Sequence, residues 1–476
     1  MTRMQAILCT LIAYELAMIV IGLVANRMSR DEKDYFLGGR RLGPWVAGLS
    51  ASASSSSVWT LLGVSGYAYA YGLAAAWLLP ACVGGFALNW FILAPALRRE
   101  SARCGAITVT EMLAGPIGTA KRWPVIVLAS TIVLLSLLTY VAAQFQGAGK
   151  TFAETFDMGF TPALLIGAAI VVFYTLLGGF WAASITDTVQ GMMMAAAALA
   201  LPIAALVAIG GFEGLIAGMQ AVEVEGWLSW TRGMPLAAGV GLVLGLLGIG
   251  LGYPGQPHVV NRLMALRDDA ALVGGRRISM TWAMVIYAGM IVLGWSVRVL
   301  IPDLADPEDA FMAGTERALP PVLAGVMIAA VLSAIMSTVD SQLLVAASTI
   351  SHDLIGRAGE RVDEVDGERR VLLRSRRTVL GLSLGAIGVA LWVDEGIFAS
   401  VLFAWTAMGS AFGPLLLVTV LVRRPRPEYV LAAMSAGFLL SVIAYVGKAS
   451  GVVERVVPFA IALGLACWGA RRDGRS

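Results

Sequence analysis

The sequence predicts an all-α polytopic membrane protein of about thirteen transmembrane helices, and three observations predict it. Only 14% of the 476 residues are charged and 58% are hydrophobic, whereas a soluble domain carries about a quarter charged. The charges are clustered: 56 uncharged residues separate Arg41 from Arg98, and a helical span needs about 20. Further uncharged runs recur at 123–149, 158–186, 188–212, 278–297, 318–339, 396–422 and 429–447.

The first span, 6–26, has the position of a secretion signal. However, it contains Glu15, lacks a small-residue cleavage site and runs into a basic loop from Arg27 to Arg41, so it is read as a retained helix. The long uncharged stretch holds two spans, 44–71 and 74–97. The runs that follow give 124–147, 162–181, 188–211, 236–256, 278–300, 319–349, 378–393, 397–422, 428–447 and 454–470. The loops at 27–43, 98–123, 258–277, 352–378 and 423–427, with the tail after 470, hold 27 of the 34 Lys and Arg. By the positive-inside rule these face the cytoplasm. The N-terminus is then outside and the C-terminus cytoplasmic, which requires an odd number of spans. The loop 182–187 has no Lys or Arg and is placed by alternation alone.

The chain reads as a single transmembrane domain, with the lipid bilayer as its main partner. Its longest loop, 352–378, is an Arg-rich connector. There is no Walker-type phosphate loop, so ATP is not the expected energy source. Cys9, Cys82, Cys104 and Cys467 have neither disulfide nor metal spacing. The net charge of +3 sits in loops and offers no basic face for nucleic acid. His258 and His352 are read as helix-end residues, and no nucleophile–base pair suggests an enzyme.

Two spans carry signs of a break at mid-membrane. Span two contains six serines between Ser50 and Ser57, and serines offer the backbone alternatives to helical bonding. Span seven ends in Gly250-Leu251-Gly252-Tyr253-Pro254-Gly255-Gln256-Pro257-His258, which cannot continue a regular helix. Small residues of this kind also permit tight helix packing. Paired interruptions in corresponding positions are the sequence sign of a secondary transporter. The breaks lie five helices apart, so spans 2–11 divide into repeats at about 44–211 and 236–422. Because five is odd, the second repeat is inverted. The helices 6–26, 428–447 and 454–470 are peripheral.

In span nine, Ser333, Ser337 and Ser341 share one helix face, with Thr338 beside them and Asp340 close by. A carboxylate at this depth is costly and faces either a polar interior or an ion. Hydroxyl, carbonyl and carboxylate oxygens suit a hard monovalent cation, sodium foremost. A protonated Asp340 in a packing face is the alternative. Asp187, in Ser184-Ile185-Thr186-Asp187-Thr188, is read either as a helix N-cap or as an ion ligand.

Four ordered motifs carry a resemblance. They are Asp34-Tyr35-Phe36-Leu37-Gly38-Gly39-Arg40 with Leu42-Gly43-Pro44-Trp45, and Gly178-Gly179-Phe180 with Thr186-Asp187-Thr188-Val189-Gln190. The third is Gly252-Tyr253 with Gly255-Gln256-Pro257-His258, and the fourth is Met336-Ser337-Thr338 with Ser341-Gln342-Leu343-Leu344-Val345. The chain resembles the sodium:solute symporters, and within them the bacterial sodium/proline symporters. The resemblance implies a leucine-transporter-type core and a sodium site built from the carbonyls of Ala53, Ser56 and Ala334 and the hydroxyls of Ser337 and Thr338. It implies a second sodium, as in some members, near Asp187, Ser337, Asp340 and Ser341, and a substrate pocket of Ser57, Tyr140, Tyr253 and Pro257. Sodium would be the coupling ion, with no further cofactor. The expected activity is sodium-driven import, by alternating access, of a small organic solute across the inner membrane. L-proline is the first candidate solute. Another amino or organic acid, a proton-coupled carrier and a solute sensor are the alternatives. Two positions depart from the proline-transporter pattern: Ser55 stands where those proteins carry Asp, and Ile249 where they carry Trp.

Overall fold

The structure is a computed structural model that describes residues 2–26, 37–355, 366–393 and 396–471. Part of the first motif, Asp34-Tyr35-Phe36, lies outside the described residues, as do parts of the basic loops. The described chain is helical throughout, with one isolated bridge between Leu42 and Leu266. Ten described helices are long and apolar enough to cross a bilayer, and Phe160–Leu176 is a shorter apolar one. The protein is thus a multi-pass membrane protein. The stretch Trp59–Cys104 is 46 residues long, enough for two crossings of about 20 residues each.

Helix α1 (Arg3–Asn26) packs beside the later helices α8 (Phe180–Ala208) and α13 (Pro321–Ser348). Helix α2 (Pro44–Ser55) begins with Pro at its first position, which costs no hydrogen bond there. It stops at Ser56, whose φ of −121° and ψ of 89° are not helical. The chain resumes through a wide π-type turn, Trp59–Gly63, into α3 (Val64–Tyr71). The interruption therefore falls inside the serine run.

After α4 (Leu78–Ala87) and α5 (Ala94–Cys104) come the long α6 (Arg122–Phe156) and α7 (Phe160–Leu177). Here the structure corrects the sequence reading, which placed a loop at 182–187. The gap between α7 and α8 is only Gly178-Gly179, both extended. Two adjacent glycines lower the cost of leaving the helix, while Thr186 bonds back to the Ala182 carbonyl at 2.8 Å and continues α8. Asp187 is consequently inside α8 and is not its N-cap, a place held by Gly179.

The second interruption follows α9 (Leu236–Leu247). A tight 3-10 segment, Gly248–Gly255, leads to an extended Gln256, and α10 (Pro257–Met264) starts at Pro257. All eight residues of α10 are buried, so this segment turns into the bundle rather than opening a loop. Helix α11 (Asp269–Leu300) packs on α2 and α8. Every residue of α13 from Met327 to Ser348 is buried, as expected of a helix surrounded by protein. The short α12 (Ala310–Ala318) precedes α13, and the long helices that follow are α14 (Asp366–Trp392), α15 (Ile397–Leu421), α16 (Pro427–Val446) and α17 (Val457–Gly469). Helix α15 lies along the second interruption.

The two ends of the broken elements are tied differently. At the start of α2, Arg40 donates to the Ser101 hydroxyl and to the carbonyls of Ser101, Met264 and Ala106 at 2.8–2.9 Å. At the opposite end, Lys150 of α6 pairs with Asp306, Glu308 and Asp309. The Glu308 carboxylate in turn accepts the N–H groups of Ile397 and Phe398 at 3.2 and 2.9 Å.

Candidate ion and substrate sites

Breaking α2 brings its last carbonyls against α13. The Ser337 hydroxyl lies 3.3 Å from the carbonyl oxygens of both Ala53 and Ala334, long for an O–H···O bond, which prefers about 2.7–2.8 Å. The hydroxyls of Thr338 and Ser56 are buried and have no hydrogen-bond partner among the described residues. Buried oxygens without partners cost about 1–3 kcal/mol each. A hard monovalent cation is the ligand that such uncharged oxygens suit. The structure thus brings Ala53, Ala334 and Ser337 together, with Ser56 at the end of the same α2 and Thr338 next to Ser337 on α13.

Beside this cage lies a cluster of a different kind. One Asp187 oxygen, Oδ2, accepts from Ser50 Oγ at 2.7 Å, Ser54 Oγ at 3.0 Å and Arg262 Nη2 at 2.9 Å. Arg262 also donates to the Ser50 hydroxyl, the His258 carbonyl and the Ser341 hydroxyl at 3.0, 2.6 and 2.5 Å. The side chains of Arg262 and Asp187 are 1% and 0% exposed. Sequence reasoning missed Arg262, counting it with the basic loop 258–277. The available signal was Pro257, a favoured helix start, followed by the mostly apolar run to Met264. His258, read as a helix-end residue, is likewise fully buried. Asp340 accepts from Ser341 Oγ at 3.2 Å through Oδ1, and its Oδ2 is buried without a partner among the described residues. It lines a cavity of about 30 Å³ with Tyr174, Gly179 and Ala182.

Between the two interruptions lies a cluster of buried aromatic rings. Tyr140 of α6 is buried, its ring 6.1 Å from that of His258 between centroids. In the second interruption, the Tyr253 hydroxyl is 2.9 Å from that of Tyr287. Trp405 of α15, which the sequence alone did not place in the pocket, joins these rings, 4.7 Å from Tyr253 and 6.4 Å from Tyr140 between centroids. Its indole N–H donates to the Ile249 carbonyl at 3.2 Å. Gly252 is required here, since a Cβ would stand 2.2 Å from Trp405 Nε1. Ser57, Tyr140, Tyr253 and Pro257 are all buried.

Two interrupted helices, with uncharged oxygens at one break and aromatic rings between the breaks, are the construction of a cation-coupled secondary transporter. The chain belongs to the sodium:solute symporter family, whose model matches residues 35–437. It is a sodium-coupled symporter of the plasma membrane and not an enzyme. Among its relatives are the sodium/proline symporters of Salmonella typhimurium and Escherichia coli. Each is 33% identical over 445 residues, covering 92% of this chain and 87% of the relative. An osmoregulated proline transporter of Bacillus subtilis is 33% identical over 466 residues, covering 96% and 93%. The fold is shared with a substrate-bound, outward-open Na+-coupled sialic acid symporter at a TM-score of 0.79 and 18% identity, covering 98% of this chain and 97% of that one. A nucleobase-cation-symport-1 transporter in a closed conformation gives 0.54 and 13%, covering 93% and 96%.

Proposed function

We propose that the protein imports L-proline together with sodium by alternating access, and that sodium binds the cage of Ala53, Ser56, Ala334, Ser337 and Thr338. The observation that carries this reading is the convergence of uncharged oxygens from a broken α2 and an intact α13, including hydroxyls without other partners. A cation there draws the break against α13 and orders Ser57, which belongs to the substrate pocket with Tyr140, Tyr253 and Pro257. Each ligand then favours the same conformation, which is what coupling requires. The membrane potential adds about 2.3 kcal/mol per charge per 100 mV.

Proline as solute is supported by the relatives' own substrate and by the cluster of Tyr140, Tyr253 and Trp405 rings. Trp405 supplies an indole beside Ile249, where the proline-transporter pattern has Trp. A second sodium at Asp187, Asp340 and Ser341 is the finer part of the proposal. The Asp187–Arg262 pair argues for Asp340 as its anchor, because Arg262 already neutralises Asp187. We assign thirteen spans, with the N-terminus outside and the C-terminus cytoplasmic. The support is the distribution of Lys and Arg, with Arg262 now removed from the count. The repeats at 44–211 and 236–422 are supported by the matching breaks at Ser56 and Gly248–Gln256.

The test is uptake of radiolabelled L-proline into proteoliposomes under an inward sodium gradient, with potassium replacing sodium in the control. Sodium-dependent accumulation is expected. Uptake of other amino or organic acids but not proline would reject the substrate, and equal uptake in potassium would reject sodium coupling.

A further inference from the structure

One buried group near the first break is used by neither the ion cage nor the residues assigned to the pocket. Gln144 of α6 is 0% exposed. Its carbonyl Oε1 accepts the backbone N–H of Val58 at 3.1 Å, while its Nε2 has no hydrogen-bond partner among the described residues. A buried amide donor left unmade costs about 1–3 kcal/mol, so its place on α6 matters. Gln144 is one turn from Tyr140 and lies on the same helix face. One turn further, Gly147 abuts the Val58 side chain so closely that a Cβ would stand 2.7 Å from Val58 Cγ2. This face of α6 therefore runs along the break.

The start of the second half-helix is a natural place for an anion. Its first backbone donors are already taken, however. Val58 N–H goes to Gln144, Trp59 N–H to Ser57 Oγ at 3.2 Å and Thr60 N–H to the Ser57 carbonyl at 2.9 Å. Besides the Ser56 and Thr60 hydroxyls and Trp59 Nε1, Gln144 Nε2 is a free buried donor at this point, and the one that α6 brings to the break. The Oε1–Val58 bond fixes the amide orientation, so the NH2 group is the end presented to a ligand.

Resting on the amino-acid reading above, we propose that Gln144 Nε2 receives the substrate's carboxylate. The same side chain that binds the carboxylate then holds Val58, two residues beyond Ser56 of the ion cage. Substrate braces the break from the α6 side while sodium braces it from the α13 side.

Gln144→Glu keeps an acceptor for Val58 N–H and replaces the donor by a carboxylate oxygen. In proteoliposomes its KM for L-proline should rise about 10- to 100-fold, the worth of a hydrogen bond to a charged group. The decisive readout is competition by L-prolinamide, which can donate to the new carboxylate. Wild type should prefer proline to prolinamide, and Gln144→Glu should lose or reverse that preference. A KM within about twofold of wild type overturns the proposal, and so does a raised KM with the preference intact, which would mark a merely structural role. If Gln144→Glu does not reach the membrane, Gln144→Met gives the same comparison. It should bring the two competitors to near equality, and a retained preference is again contrary. If wild type ignores proline, the substrate reading falls by itself, and the same variants are read with the acid it does carry and that acid's amide. A carried solute without a carboxylate overturns the Gln144 assignment.

Discussion

Helices α2 and α13 face each other across two polar regions about one helical turn apart, and the two solve the problem of buried polarity in opposite ways. The oxygens in contact with Ser337 Oγ are the uncharged carbonyls of Ala53 and Ala334, and the hydroxyls of Thr338 and Ser56 are left without partners among the described residues. Around Ser341 the oxygens surround a fixed cation, Arg262, and the engaged oxygen of Asp187 has three donors. On the proposed reading a mobile ion completes the first region, whereas Asp187 in the second already has a cation of the chain's own. The same pair of helices would thus combine a place that fills and empties with a charge pair that stays fixed. Because Ser54 and Ser341 are 3.0 Å apart in the second region, that region also fixes the register in which Ala53 and Ser337 meet in the first.

The sharpest way to break this contrast is to remove the fixed cation. Arg262→Met leaves Asp187 buried without its counter-charge, which costs about 3–5 kcal/mol. A large loss of folded protein in the membrane is expected, read by the amount recovered and by thermal stability in detergent. Pairing it with Asp187→Asn removes both charges and should restore much of the folded protein. If the single variant is as stable as wild type, the cluster is not the fixed element described here.

The cage predicts a smaller and more selective effect. Ser337→Ala or Thr338→Ala removes one oxygen without stranding a charge. The sodium concentration for half-maximal uptake should rise about tenfold or more, given about 1.5–3 kcal/mol for a bond to a charged group, while protein yield stays near wild type. Ala53 and Ala334 act through carbonyls, so Ala→Ser at either should shift sodium dependence much less than these two. Unchanged sodium dependence in Thr338→Ala would remove the cage as the ion site.

The unevenness of these two regions explains what could be read in the sequence. Membrane spans, the break in the serine run and the Pro-Gly break were legible because each is written in local composition: long apolar runs, clustered hydroxyls, and glycine and proline that cannot continue a helix. The polar face of α13 was legible, since Ser333, Ser337 and Ser341 recur at the helical period and are all buried. Arg262 was not, because its meaning is tertiary. Its partners Asp187, Ser50 and Ser341 are 75, 212 and 79 residues away, and a charge after a proline looks like a loop until α10 is seen turning inward. Asp187 was misread as a possible cap because alternation of loops placed a boundary where Thr186 and its neighbours continue the helix. Trp405 and Gln144 were invisible for the same reason: both act on breaks that lie in other helices.

A third cluster sharpens the comparison by having neither property. Lys150 with Asp306, Glu308 and Asp309 is a charge group of mostly partial exposure, with side chains 13–45% accessible. Ion pairs in contact with water are worth only about 0–1 kcal/mol. Glu308→Gln keeps an acceptor for one of the Ile397 and Phe398 N–H groups while losing the pair with Lys150. Its effect on the KM for uptake should be no more than about fivefold. The pH dependence follows from Asp306. Burial works against its ionisation, but the Lys150 ammonium and the Glu308 N–H outweigh this and hold the carboxyl below its usual range. A depressed carboxylate contributes stability above its unfolded pKa and loses it as pH falls through the folded value. The Asp306 pair with Lys150 should therefore persist from about pH 8 to about pH 5. The ratio of wild-type to Asp306→Asn uptake should stay flat over that window. A ratio that collapses between about pH 7 and about pH 5 would show that Asp306 titrates there and is not held down by Lys150.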